Sequence, residues 1–166
     1  WLNDGDGNFE ATTKYVPSLL KNRDKNYYTI DLPDVDGDGH FDIFVGGHDW
    51  EQQSKTYVFF NSGRNTFSNR SKISIPNVKG DGVVLDVVVT DGLTQRLVWV
   101  LRTSGGDGTF YKGATVQKYG VTDKSSQVVY QNRKTKWFSW IFPISNQGKT
   151  YIVSDDVSRK AMRISE

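Results

Sequence analysis

Cysteine is absent from this chain of 166 residues. Its absence excludes a disulfide scaffold, catalysis by a thiol and a zinc site built from thiolates. Histidine occurs only at positions 40 and 48, which restricts any chemistry that depends on imidazoles. The chain begins with tryptophan and shows no signal peptide. We therefore expect a processed product or an excised piece of a longer protein.

Long apolar runs and an excess of one charge are also missing. No stretch approaches the roughly 20 apolar residues that a membrane helix needs, so we expect no membrane insertion. The most apolar runs, 83–89 and 97–101, have the length of buried strands and are rich in valine and leucine. The 21 basic and 19 acidic residues are interleaved and leave a net charge of +2. This balance argues against nucleic acid as the main partner.

Aromatic residues, glycine and an internal repeat are what the sequence does contain. The aromatic fraction is 13% and there are 16 glycines, a composition typical of an all-β protein. The stretch LNDGDGNF at 2–9 aligns without a gap with FNSGRNTF at 60–67, and GDGTF at 106–110 is a third copy. The closing phenylalanines lie roughly 58 and 43 residues apart, the length of a propeller blade or similar β repeat. We interpret the chain as a single segment of three repeat units, 1–58, 59–100 and 101–166.

A second pattern recurs within these units and predicts their strands. A helix near 15–22 is interrupted by Pro17 and is at most a turn or two. The predicted fold is all-β, a β-propeller-like array of about three four-stranded antiparallel blades. Because propellers usually have about 4–8 blades, the array is either part of a larger propeller or is completed by another chain. The stretch 41–46 is matched by 85–90 and, more weakly, by 150–155, and a further strand is predicted after each, at 56–60, 96–101 and 160–164.

The stretch DVDGDGHFD at 34–42 is the candidate metal loop. Its carboxylates at loop positions 1, 3, 5 and 9 are Asp34, Asp36, Asp38 and Asp42, and position 6 is glycine. Ca²⁺ binds about six to eight oxygen ligands, and His40 at position 7 offers its main-chain carbonyl oxygen. The glycines permit the tight turns that bring these groups to one point. The spacing predicts Ca²⁺ as the cofactor, and the alternative is a solvated acidic turn.

The N-terminal stretch WLNDGDGNFE is similarly acidic but predicts only a turn. Asp4 and Asp6 are its first carboxylates, and the aligned copy has Ser62 and Arg64 in their places. A position that also holds arginine is not a repeated cation ligand. The Asp-Gly content instead suits a tight β-turn between two strands.

We expect one calcium site among the three units. The loops at 77–86 and 145–148 keep turn residues but lack the set of carboxylates in register. An EF-hand is excluded at 34–42, because its position 12 is Val45 instead of glutamate and the flanking residues are typical of strands.

Together these motifs resemble those of a known family of repeats. The acidic loop, the apolar strand after it and the N-x-G turn resemble the FG-GAP and VCBS repeats. These repeats build calcium-bearing β-propellers of the integrin α-subunit type and of many bacterial surface and secreted proteins. The likeness covers 34–67, only the turn motif at 1–10 and 101–110, and little of 120–166. It implies an extracellular, cell-surface or periplasmic location. It also implies that Ca²⁺ lies between two strands of one blade, with the ligands Asp34, Asp36, Asp38, Asp42 and the carbonyl of His40.

Contacts to a ligand are expected in the polar loop 46–51. Trp50 is the tryptophan we expect to be exposed, and His48 lies beside it. An exposed tryptophan suits sugar stacking or a protein–protein hot spot, and the alternative for both residues is a solvated loop. Trp99, inside an apolar run, is expected in the core.

The sequence brings together no nucleophile, base or carboxylate pair, so we expect no catalytic role. The predicted function is that of a calcium-binding extracellular β-propeller segment that mediates adhesion or the recognition of a glycan or protein ligand. The alternative is an accessory, non-catalytic portion of a secreted carbohydrate-active enzyme.

Overall fold

Strands dominate the regular structure of the chain. The computed structural model describes residues 2–11, 16–21, 27–48, 54–63, 67–68, 71–104, 112–134, 139–147, 149–154 and 164–165. Its only helix in these ranges is a 3-10 turn at Ser18–Lys21, directly after Pro17, and it is too short to cross a membrane. The prediction of an all-β fold is confirmed. The strands are β1 Leu2–Asn3, β2 Phe9–Glu10, β3 Thr29–Asp31, β4 Ile43–Gly46, β5 Thr56–Phe59, β6 Lys72–Ile75, β7 Val84–Asp91, β8 Arg96–Arg102, β9 Ala114–Gly120, β10 Ser126–Asn132, β11 Ile141–Asn146, β12 Lys149–Ser154 and β13 Ile164–Ser165.

All nine described strand pairings are antiparallel and join strands that are neighbours in sequence. The first sheet has the order β3-β4-β5-β6, and the second sheet, from β7 to β10, has the same simple meander. The third sheet has the order β11-β12-β13, and β1 and β2 form a separate hairpin. Short connections between antiparallel neighbours explain the many turn residues of the sequence.

Strand β8, with the sequence RLVWVLR, explains how the three sheets pack. Side chains alternate along a strand, and Val98 and Val100 point into a core shared with the first sheet. Leu97, Trp99 and Leu101 point the other way, into a core shared with the third sheet. All five side chains are buried. The second sheet is therefore covered on both faces, and the three sheets form a layered stack.

Backbone contacts hold the first sheet close to the second. A Cβ atom added at Gly46 would lie 2.5 Å from the Cβ of Val84, so only glycine allows this approach of β4 to β7. The hydroxyl of Thr29 donates to the carbonyl of Val84 over 2.6 Å. Arg102 is buried at the same interface, and its guanidinium donates to Thr56 of β5 and to Gln117 of β9. These polar contacts fix the position of one layer on the other.

The sheets are out of phase with the repeat units of the sequence. The unit boundaries after residues 58 and 100 fall inside β5 and β8. Residues 60–63 of the second copy follow β5 within the first sheet, and the third copy at 106–110 lies outside the described residues. The third sheet has three described strands where four are predicted, and the described sheets do not close into a barrel.

We predict that the layered core carries most of the stability. Leu101 is fully buried between the second and third sheets, whereas Leu93, in the turn between β7 and β8, is 98% exposed. Leu101→Ala should lower the free energy of unfolding by about 2–5 kcal/mol, because it leaves a cavity in the core. The identical change at Leu93 should stay within about 0.5 kcal/mol. Urea unfolding measures both, and equal losses would contradict the layered arrangement.

Candidate metal centre

The loop between β3 and β4 folds around the carboxylate of Asp34. One oxygen accepts the backbone N–H of Gly37 over 2.7 Å, and the other accepts that of Gly39 over 3.2 Å. Both glycines have positive φ angles, 82° and 87°, which residues with a side chain rarely adopt. The Asp-Gly-Asp-Gly sequence therefore closes a tight loop around the Asp34 carboxylate.

Asp42 closes the loop from its other end and is fully buried. Its Oδ2 accepts the N–H of Val35 over 2.8 Å, and its Oδ1 accepts the N–H of Asn61 over 2.9 Å. One carboxylate thus joins the start of the acidic loop to the turn that follows β5.

Three carboxylates converge in this loop. Oxygens of Asp34, Asp36 and Asp42 lie within 4.8 Å of one another, with Asp34 half-buried and Asp36 exposed. Asp38 lies outside this group, and its Oδ1 accepts the N–H of His40 over 2.8 Å. An all-oxygen donor set with no sulfur or imidazole fits a hard cation such as Ca²⁺.

The imidazole of His40 is also outside the carboxylate group. It lies against Gly63, where an added Cβ would come within 2.6 Å of its Nε2. Gly63 has a φ angle of 77° in the turn after β5. The packing of His40 on this turn is a second contact between the acidic loop and residues 60–63.

Asn61 supports the loop and was missed by the sequence prediction. Its side-chain amide donates to the carbonyl of Phe41 over 3.1 Å, and its Oδ1 accepts the N–H of Gly63 over 3.0 Å. Asn3, at the aligned position of the N-terminal copy, accepts the N–H of Gly5 in the same way, over 2.8 Å. The recurrence of this asparagine at the same position of the repeat is the sequence feature that could have identified Asn61 as a supporting residue.

Burial and neighbouring charges act on the carboxylate of Asp42. Burial raises the pKa of Asp42 above its usual 3.8, and the charges of Asp36 and Asp38 add to the shift. The two backbone N–H groups that Asp42 accepts act in the opposite direction. A cation among these carboxylates would stabilise the charged form of Asp42 and offset their mutual repulsion.

Arg96, the first residue of β8, places a positive charge beside the loop. A Cβ added at Gly37 would lie 2.7 Å from its Nη1, so the guanidinium packs on the glycine backbone. Its Nε also lies 3.6 Å from Asp91. Arg96 belongs to the second sheet, far from the loop in sequence, so no local pattern indicated this contact.

The N-terminal acidic stretch forms the turn that its sequence predicts. β1 pairs with β2, and the carboxylate of Asp4 accepts the N–H groups of Asp6 and Asn8. The side chain of Asn8 donates to the same carboxylate over 2.9 Å, and the pKa of Asp4 is lowered, mainly by that bond. In the part of the chain that the structure describes, this stretch contributes to no group of three metal-ligating side chains.

Two carboxylates in the loop and strand at 77–86 are bonded to other groups of the protein. Asp81 is buried, accepts the amide of Gln131 over 3.2 Å and pairs with Arg133 over 3.4 Å. Asp86 accepts the N–H of Ile141 over 2.7 Å, which links the second sheet to the third.

The expected ligand contacts at 46–51 are only partly described. His48 is buried, and its ring stands edge-on to Tyr28 with centroids 5.4 Å apart, so its imidazole does not face solvent. Trp50 lies outside the described residues. Trp99 is fully buried, as predicted, and its indole N–H donates to Thr90 over 2.8 Å.

Comparisons of the chain with protein-family models, with curated proteins and with solved structures found no match. The resemblance to FG-GAP and VCBS repeats therefore stays a prediction from the motif residues of 34–67 and the turn motif at 1–10 and 101–110. The geometry adds to those motifs the convergence of three carboxylates.

We predict that the side chain of Asn61 contributes more to the stability of the fold than that of Asn3, its aligned residue in the repeat. Asn61→Ala removes the hydrogen bond to the Phe41 carbonyl of the acidic loop and the bond that accepts the Gly63 N–H within the turn, so the free energy of unfolding should fall by about 1–2 kcal/mol. Asn3→Ala removes the same kind of bond from an exposed turn and should cost less than about 0.5 kcal/mol. Thermal or urea unfolding compares the two, and an equal effect would show that Asn61 does not support the loop.

We also predict a pH dependence that Asp42 controls in the presence of chelator. Because its pKa is higher in the folded than in the unfolded chain, its contribution is complete below the usual 3.8 and is lost as pH rises through the raised value. The stability of the protein relative to its Asp42→Asn variant should therefore increase as pH falls from neutral toward that value. Urea unfolding of both proteins at several pH values measures this difference. A decrease over the same range would contradict the raised pKa.

Proposed function

We propose that this chain is a calcium-stabilised segment of an extracellular β-propeller that acts in adhesion or in the recognition of a glycan or protein ligand. The observation that carries the proposal is the convergence of Asp34, Asp36 and Asp42 within 4.8 Å. The residues of the acidic loop fit the hard cation that the family resemblance implies.

Calcium suits this loop better than magnesium or zinc. Zinc prefers nitrogen and sulfur ligands, and magnesium prefers a rigid octahedron with several waters. The loop offers carboxylate oxygens of different exposure, together with the main-chain carbonyl of His40. The exposed position of Asp36 leaves room for water to complete an irregular shell of the kind that Ca²⁺ accepts.

The proposed role of the ion is structural. Asp42 and Asn61 already join the acidic loop to the turn after β5. A cation held by Asp42, Asp34 and Asp36 would lock that junction, because an ion that binds only the folded chain stabilises it. The edge of the first sheet would then keep one conformation for contact with a ligand.

The layered stack supports the propeller architecture. Each described sheet is an antiparallel meander, and each packs face to face on the next. Successive blades of a propeller have the same relation. We propose that these three sheets are three consecutive blades.

An accessory role beside a secreted carbohydrate-active enzyme is the second candidate. The observation that favours it is the exposure of Trp140, directly before β11, since an exposed indole suits stacking on a sugar ring. A glycan array with and without calcium separates glycan recognition from protein adhesion. Turnover of a polysaccharide by this chain alone would overturn both non-catalytic roles.

We predict that Ca²⁺ raises the melting temperature and that chelation lowers it. Asp36→Asn keeps the turn but removes one ligand charge, so Ca²⁺ affinity should fall about tenfold or more, equivalent to about 1.4 kcal/mol. Asp6→Asn removes the same charge from the N-terminal acidic turn and should leave the affinity unchanged. Isothermal titration calorimetry and thermal unfolding measure both variants. A melting curve that is insensitive to Ca²⁺ and chelator would refute the site.

A further inference from the structure

Arg96 meets the acidic loop across the boundary between the first and second sheets. It is the first residue of β8, and its side chain lies on Gly37, in the middle of the Asp-Gly turns. A Cβ added at Gly37 would lie 2.7 Å from Nη1, 3.3 Å from Cδ and 3.6 Å from Cζ of Arg96. The guanidinium and the end of its aliphatic stem therefore both pack on the backbone of one glycine.

The backbone of Gly37 separates this positive charge from the carboxylate of Asp34. The N–H of Gly37 donates to Asp34 over 2.7 Å, while the direction of its missing Cβ points to Arg96. Asp34 belongs to the three carboxylates that converge within 4.8 Å. Charges that touch the same glycine interact with little screening, because the Debye length is about 8 Å at physiological ionic strength.

The guanidinium is only partly neutralised by its acidic partner. Its Nε lies 3.6 Å from Asp91, which is its cross-strand neighbour on β7. The side chain of Asp91 is 85% exposed, so water weakens the attraction between the two charges. The same Nε is buried, and in the described part of the chain it has no hydrogen-bond partner. Much of the positive charge of Arg96 therefore remains to act on the acidic loop.

We propose that Arg96 weakens the binding of Ca²⁺ to the acidic loop and thereby sets the affinity of the site. Among the residues that the structure describes, Arg96 forms no ion pair with a loop carboxylate, so it does not occupy the position of the cation. It acts as a fixed positive charge beside the site and raises the free energy of the bound state. The inference rests on the proposed calcium site and adds the residue that regulates it.

A weakened site suits the extracellular location proposed for this chain. Dissociation constants of Ca²⁺ sites run from about 10⁻⁹ M in cytosolic buffers to about 10⁻³ M in extracellular modules, and the charge of the ligands contributes to this range. Three carboxylates beside an arginine present less net negative charge to the ion than the carboxylates alone. We therefore expect an affinity toward the extracellular end of the range.

Isothermal titration calorimetry of the chain with calcium chloride at low ionic strength tests the role of Arg96. Arg96→Gln removes the charge and should lower the dissociation constant about threefold to tenfold. Arg96→Lys keeps the charge and should stay within about twofold of the parent protein. Asp91→Asn removes the acidic partner of Arg96 and should raise the dissociation constant about twofold.

Lys79→Gln is the matched control for the loss of one positive charge. Lys79 is exposed in the turn after β6, and β6 runs away from the acidic loop in the antiparallel meander. The control should therefore leave the dissociation constant unchanged. Circular dichroism confirms that each variant is folded.

Salt separates the charge of Arg96 from its packing. The effect of Arg96→Gln should shrink toward that of the control when the salt is raised from about 0.1 M to about 1 M, because the Debye length falls from about 10 Å to about 3 Å. An effect of the same size at both salt concentrations would contradict a role for the charge.

The outcomes distinguish this inference from the proposed function. A parent protein that binds no Ca²⁺ would overturn both. Calcium binding that Arg96→Gln leaves unchanged or weakens would overturn the role of Arg96 alone. Equal effects of Arg96→Gln and Arg96→Lys would also overturn it, because the packing on Gly37 and not the charge would then control the site.

Discussion

The burial of the second sheet on both faces is the constraint on which the rest of the structure depends. Because Trp99 and Val100 point to opposite sides of β8 and are both buried, a sheet must pack on each side. The first and third sheets meet that requirement. A layered stack follows from it, and so do the close approach at Gly46 and the polar contacts that align neighbouring layers.

The acidic loop depends on this stack for its shape. Its own Asp-Gly turns close it locally, but Asp42 connects it to the turn after β5, and Arg96 of the second sheet packs on Gly37. Burial raises the pKa of Asp42, so holding its charge within the fold is costly without a counter-ion. The proposed calcium ion would supply that counter-charge and would thereby stabilise the first sheet.

Residue patterns predicted some features and misjudged the position of others. The apolar run at 97–101 and the composition predicted buried strands. Of the four carboxylates that the Asp-Gly spacing predicted to converge, three do. The repeat motif suggested unit boundaries after residues 58 and 100, but these positions fall inside β5 and β8, since a turn within a sheet and a turn between sheets use the same residue types. His48 was expected in a ligand loop and is buried beside Tyr28, because the packing of distant segments decides which polar loop residues are enclosed.

The sequence by itself determined the strands, the turns and the acidic loop, since these follow from side-chain alternation, glycine conformations and hydrogen bonds between near neighbours. Only the tertiary structure decided that Asp38 lies outside the carboxylate group and that Asn61 and Arg96 contact the loop. These features arise where segments far apart in sequence meet. Their positions depend on the packing of whole sheets, which no local pattern specifies.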